Sequence, residues 1–312
     1  MARLAIWLMV VFVLVAAPVA ATVALVDSAD AAFPGKNGKI VFAGIRSKTE
    51  FGLYVMNPDG SALKRLIRTA ATFPAWSPDG RRIAYSVNEN ELDLINADGS
   101  GERVLRKHAA GVFGGNHPTW SRDSRKIAFM EAVGQTLQIF VVDDDGSDLH
   151  QLTHGPISSA EPDRSPDGRK IAFSSDRSGQ SVDIYVMNAD GRGPVTQLTR
   201  KGGSAPDWSP DGRKVVFWSD RAAKKKPGQP GGEDIYVISS DGSHERRLTH
   251  DPVSATGPVW SPDGKEILFV SNRRGNFQIY IMGADGTHQR QLTHGSGLFA
   301  VQPNWQPITG HR

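Results

Sequence analysis

The chain has 312 residues, 39% of them hydrophobic and 22% charged, which fits one large folded core and not a disordered polymer. Lys and Arg total 36 against 33 Asp and Glu, and a formal net charge of +3 is too small for a general nucleic-acid binder. There is no cysteine, which excludes disulfides, a cysteine nucleophile, cysteine metal ligands and lipid anchoring through a cleavage-site Cys.

In chain order, the first element is a leader. Arg3 is a short basic head, Leu4 to Ala17 is nearly unbroken apolar sequence, and small residues follow at Ala20-Ala21 and Ala29 to Ala32. This is the pattern of an export signal over residues 1–32. Cleavage after Ala21 and cleavage after Ala31 both fit. So does retention as an anchor, since the apolar run continues toward Val26. Either way the remaining domain, residues 33–312, is expected outside the cytoplasm (periplasm, cell envelope or secreted).

From there a pentapeptide repeats. Trp-Ser-Pro-Asp-Gly or a near-copy starts at Trp76, Trp120, Arg164, Trp208 and Trp260, and a degenerate Asn304-Trp305-Gln306-Pro307 follows, in steps of 44, 44, 44, 52 and 45 residues. Asp-Gly pairs keep the same period at Asp59, Asp98, Asp145, Asp190, Asp241 and Asp285. A period near 45 residues with four short strands per unit predicts an all-β fold, a six-bladed β-propeller.

One unit shows the order. Ser165-Pro-Asp-Gly is a hairpin: Pro presets the first central angle, Asp bonds back to the backbone and Gly takes the left-handed position. Strand B follows at Lys170 to Phe173 and strand C at Ile184 to Met187. Asn188-Ala-Asp-Gly is a second hairpin, and strand D spans Val195 to Thr199. The first unit enters directly at strand B (Lys39), whereas a spare inner strand lies around Gln302 to Gln306. The C-terminal strand is therefore expected to complete the first blade and close the ring, which removes open sheet edges.

Several positions break the repeat. Arg164 replaces Trp, Ser121-Arg-Asp-Ser replaces the Gly-containing turn, and Asp93 stands where other units carry Tyr or Phe. An insertion from Ala222 to Gly232 carries Lys224, Lys225 and Lys226 in a Pro/Gly-rich run and reads as a solvated loop. Arg46, Arg177, Arg221 and Arg273 recur after strand B and read as structural, bonding loop carbonyls or a neighbouring blade.

The combination of Pro-x-Trp-Ser-Pro-Asp-Gly, Ser-Asp-Arg-x-Gly, Asp-Ile-Tyr-Val-Met-Asn-x-Asp-Gly and Gln-Leu-Thr resembles the TolB-type propeller repeat, also called WD40-like or PD40, over about residues 35–307. The resemblance implies an envelope protein that binds partners, as TolB binds peptidoglycan-associated lipoprotein and Tol proteins. The stretch ahead of the first strand is too short for the α/β domain that TolB carries there. Similar repeats precede prolyl-oligopeptidase-type hydrolase domains, but the chain contains no Gly-x-Ser-x-Gly elbow. Oligogalacturonate lyase is another relative, a propeller enzyme with a His-rich metal site.

Strand order puts the D–A and B–C loops on one face and the Asp-Gly turns on the other. Turn chemistry alone accounts for the aspartates. On the loop face, the residue after each strand D is Arg68, Lys107, His154, Arg200, His250 or His294, and Lys224 to Lys226 join them. This forms a basic surface for an acidic partner, although a repeat copying its residue types would give the same ring. Residues just before each inner-strand Pro are expected near the channel mouth. They include His117, Glu161 and Gln302, with Asn116 and His108 in the adjoining D–A loop.

His117 and Glu161 alone are too few for a metal site. Asp143 to Asp148 resembles part of a calcium loop but lacks the distal Glu. Neither metal nor cofactor is expected. The sequence thus points to a monomeric, non-catalytic scaffold. Its loop face would bind an envelope protein or anionic polymer, with no nucleic acid, and with membrane contact only through a retained leader. The alternative is a propeller lyase or hydrolase with its site at the channel mouth.

Overall fold

A computed structural model describes residues 33–309 apart from 48–49, 109–112, 223–231, 251–252 and 296. The leader with its cleavage sites and Lys224, Lys225 and Lys226 lie outside the described residues. Six four-stranded antiparallel sheets form the blades: blade 1 from 36–65 with 299–308, blade 2 from 71–107, blade 3 from 114–151, blade 4 from 159–197, blade 5 from 204–247 and blade 6 from 255–291. No helix among the described residues is long and apolar enough to cross a membrane.

The turns explain why each blade folds locally. In blade 2 the Ser77 hydroxyl donates to Asp79 Oδ1 at 2.6 Å, and the same oxygen accepts the Arg81 N–H at 3.0 Å. Gly80 then takes a φ of 67° and donates to the Ser77 carbonyl at 2.8 Å. Blade 4 repeats the set with Ser165, Asp167 and Arg169, and blade 5 with Ser209, Asp211 and Arg213. In blade 3, Ser124 stands in for Gly at a φ of 58°, and its hydroxyl accepts the Asp79 N–H of blade 2 at 3.2 Å.

The first blade takes its inner strand, Phe299–Ile308, from the C-terminus, paired to Lys36–Ser47. Ring closure is as the repeat count requires. Strands B and C bury both faces. Phe-Tyr pairs such as Phe42–Tyr54 (5.7 Å between centroids) and Phe217–Tyr236 (5.7 Å) stack across them. The recurring arginines lie over these rings: Arg221 Cζ is 3.8 Å from the Tyr236 centroid, and Arg177 and Arg273 repeat the arrangement. Their role is structural, but the partners are aromatic pairs of their own blades.

Strand D is shorter than the sequence suggests. In blade 4 only Thr196–Gln197 pairs with strand C. The Thr199 hydroxyl instead accepts the Ile184 N–H at 2.8 Å and donates to Asp183 at 3.0 Å, which bends the chain out of the ladder. Thr153, Thr249 and Thr293 make the same corner.

Candidate functional site

The inner strands around the axis share a bulge. Their register shifts at the X-Pro step in each blade, where Pro has no N–H for the ladder. The residue ahead of each Pro takes a left-handed φ: Phe73 51°, His117 51°, Glu161 52°, Ala205 49°, Gly257 54° and Gln302 54°. Such an angle costs a non-glycine residue about 1 kcal/mol or more. The bulge turns these side chains toward the adjoining blade.

The result differs from an open channel mouth. His117 and Glu161 are each 1% exposed and Gln302 5%. Gln302 Oε1 accepts the Phe73 N–H of blade 2 at 2.9 Å. Glu161 Oε2 accepts the Ala205 N–H of blade 5 at 2.8 Å and the Ser174 hydroxyl at 2.5 Å. The next inner-strand position adds a second set of brackets. Asn304 Oδ1 accepts the Trp76 N–H (2.7 Å), Asp163 Oδ2 the Trp208 N–H (2.8 Å) and Asp207 Oδ1 the Trp260 N–H (2.7 Å), while Thr119 receives the Arg164 N–H at 3.3 Å. Burial pushes Glu161 up to about 7 and Asp163 well above the carboxylate range. It pushes His117, whose ring stacks 4.0 Å from Phe73, down to about 3. His117 and Glu161 therefore share an environment without sharing a hydrogen bond.

His108 and Asn116 belong to a different cluster, at the junction of blades 2 and 3 on the loop face. His108 Nδ1 lies 3.3 Å from Glu131 Oε1, which also takes Arg106 at 3.2 Å. Burial holds His108 below the usual imidazole range, with Glu131 working against it. Asn116 donates to the carbonyls of Glu89 (3.2 Å) and Gly114 (3.1 Å), and burial raises the Glu89 carboxyl to about 7. Sequence reasoning missed Glu89, Arg106 and Glu131. The available signal was a break in the repeat: Arg106 fills the Thr corner and Glu131 the place of Ser175, Ser219 and Ser271.

The basic ring on the loop face is exposed at all six positions: Arg68, Lys107, His154, Arg200, His250 and His294. Lys107 pairs with Glu91, and Arg200 reaches Gln197 at 3.4 Å. On the turn face, Asp143 and Asp148 clasp Lys126 at 2.5 and 2.8 Å, and Asp144 takes Arg82 at 2.5 Å. The partial calcium motif is thus occupied by cations of the chain. Among the described residues no group of three or more His, Cys, Asp or Glu side chains could hold a metal ion. The turn face also holds a cavity of about 910 Å³, walled by the hairpins of blades 2 to 5.

A family model described as the TolB beta propeller domain matches residues 31–225 and 204–310. A search of curated proteins found no match. Among solved structures, TolB from Acinetobacter baumannii is 25% identical with a TM-score of 0.74, over 88% of this chain and 68% of that one. A putative TolB from Agrobacterium tumefaciens is 22% identical with a TM-score of 0.63, over 88% and 99%. Oligogalacturonate lyase from Vibrio parahaemolyticus shares the fold at 16% identity and a TM-score of 0.57, over 87% and 79%. With the matched segments spanning nearly all of the repeat region, the chain belongs to the TolB beta propeller family.

Proposed function

We propose that this propeller is a non-catalytic scaffold outside the cytoplasm whose loop face docks an acidic partner protein of the cell envelope. The observation that carries this reading is the ring of exposed basic side chains, one per blade, each set at the exit of strand D. Arg68, Lys107 and Arg200 place positive charge around a rigid disc, and such charge steers an acidic surface and fixes its orientation. The leader pattern and the similarity to TolB structures support the location. The buried acids of the inner strands hold blades together and are covered from any partner.

The test is affinity capture from envelope extract with the purified protein, eluted by rising salt and identified by mass spectrometry. A parallel bait carries Arg68→Glu and Arg200→Glu. One saturable protein, released by salt and lost from the variant bait, is the expected result. Retention of the same proteins by both baits refutes loop-face docking. Release of unsaturated oligogalacturonides by the purified protein replaces the scaffold reading with the lyase one.

A further inference from the structure

The repeat contains its own template for a second site. In blades 1, 4, 5 and 6 the strand B ring faces a strand C tyrosine across the ladder. An arginine four residues after that ring folds back over the tyrosine. In blade 5 the Arg221 guanidinium lies 3.8 Å from the Tyr236 centroid and ends 2.8 Å from Glu245. In blade 6, Arg273 lies 4.7 Å from the Tyr280 centroid and donates to Gln289 at 2.8 Å.

Blade 2 keeps the ring and the acceptor and changes the other two members. Tyr85 is its strand B ring, and Glu102 stands at the place of Glu245 and Gln289. Asp93 replaces the tyrosine opposite Tyr85, and Glu89 replaces the arginine. Asn88 and Glu89 take left-handed φ angles of 48° and 60°, and the Glu89 carbonyl accepts the Gly114 N–H of blade 3 at 2.9 Å. The loop is thus tied to blade 3, whereas Tyr85 packs in one cluster with Leu53, Val55 and Ile67 of blade 1.

Asp93 is left as an exception. It is 5% exposed with Oδ1 fully buried, yet no hydrogen bond or ion pair reaches it among the described residues. The other buried acids, Glu131, Glu161, Asp163, Asp183, Asp207 and Asp234, each accept at least one hydrogen bond. A buried carboxyl without a partner is costly, and native folds rarely keep one without a reason. Lys107 serves Glu91. Burial, with Glu91 and Glu102 nearby, pushes Asp93 up to about 7. Glu102 uses Oε1 for the Tyr85 hydroxyl at 2.7 Å, and its Oε2 has no partner among the described residues.

We infer that this position of blade 2 binds a guanidinium group from outside the chain, either an arginine side chain of a partner or free arginine. Asp93 and Glu102 take its N–H groups, and its plane lies on Tyr85, as the chain's own arginines lie on rings in the sister blades. Entry is from the rim of the disc, where Glu102 and Val104 of the outer strand are exposed. The sister guanidinium group also touches solvent, since the Arg221 side chain keeps 14% exposure. The site stands apart from the basic ring and selects the opposite charge.

The experiment titrates the purified, isotope-labelled protein with N-acetylarginine amide and follows the backbone amide shifts of blade 2. Matched titrations use N-acetylcitrulline amide, which has the same shape without the charge, and N-acetyllysine amide, which has the charge without the planar fork. Saturable shifts centred on Asp93 and Val104 are expected, at least about tenfold weaker with citrulline and about threefold weaker with lysine. Tighter binding of free L-arginine than of the capped compound assigns the guest as the small molecule; equal or weaker binding assigns it as a side chain. Asp93→Asn should lose binding by about tenfold with an equal or higher melting midpoint and unchanged loop-face capture. Glu102→Gln, at an exposed position, should lose about two- to fivefold. Absence of saturable shifts, equal binding of the citrulline compound, or full binding by well-folded Asp93→Asn or Glu102→Gln protein overturns the proposal.

Discussion

Glu161 offers the sharpest test of how the ring is held. Its carboxylate brackets blade 4 to blade 5 yet sits at 1% exposure, and burial raises it to about 7 from the ordinary 4.5. The fold therefore favours the protonated form. The resulting penalty is absent below pH 4.5, grows as pH rises, and is complete above about 7. Its full size is about 3 kcal/mol. Glu161→Gln keeps an Oε1 acceptor for the Ala205 N–H and carries no charge. Variant and natural protein are compared by urea unfolding across the pH range from about 4 to 8. The variant's relative stability should climb by about 3 kcal/mol, equivalent to several degrees in Tm for a domain of this size. A difference that stays flat with pH would show that the carboxylate is solvated along the axis, and the argument from burial would fail.

His117, held down to about 3 by burial, should destabilise the fold as pH falls from 6.5 toward 3, because the unfolded chain takes up the proton first. His117→Gln should remove that slope in urea titrations, opposite in sign to the Glu161 effect. Removal of residues 301–312 deletes most of the inner strand of blade 1. Trp305 alone, at 3% exposure, is worth about 3–5 kcal/mol against a typical total of about 5–15. Circular dichroism should show no cooperative melt near the natural midpoint. Arg164, buried with its pKa lowered to about 10, stands in a tryptophan's place. Arg164→Met should stabilise by about 1–2 kcal/mol in chemical denaturation, since an apolar side chain carries no desolvation cost there.

The fold was legible because its information is local and repeated. Each Ser-Pro-Asp-Gly specifies one hairpin through its own side chains, and the missing first inner strand with a spare last one implies ring closure. The site was less legible because one backbone angle decides it. Position alone put His117, Glu161 and Gln302 near the mouth. The left-handed bulge before each proline turns Glu161 and Gln302 onto the neighbouring backbone instead, and no residue pattern states that direction. The Gln-Leu-Thr signature read as strand because its residues favour strands. Its Thr proves to be a capping hydroxyl that ends the ladder. The Arg106–His108–Glu131 group joins residues from two blades, so only superposing the repeats could have exposed it as a set of exceptions.

The brackets between inner strands are not distributed evenly around the disc. At the bracket position, where Asn304, Thr119, Asp163 and Asp207 stand, blade 2 has Ala75 and blade 6 has Val259, and neither side chain can accept a bond. Blades 2 and 3 are instead joined by the Trp120 N–H on the Ala75 carbonyl (3.0 Å) and the Ser86 hydroxyl on the Gly115 carbonyl (2.7 Å), and farther out by guanidinium groups. Arg82 reaches Asp144 at 2.5 Å and the Ser124 carbonyl at 2.7 Å while lying over Trp120, and Arg103 and Arg106 add the Asp144 carbonyl and Glu131. Buried hydrogen-bonded clasps are screened little by salt, whereas half-exposed ion pairs weaken as salt screens them. The seam between blades 2 and 3 therefore has an outer clamp whose grip follows the salt of its surroundings, beneath the His108 cluster on the loop face. A rise in ionic strength would thus weaken the outer clamp of that one joint while its buried hydrogen bonds hold.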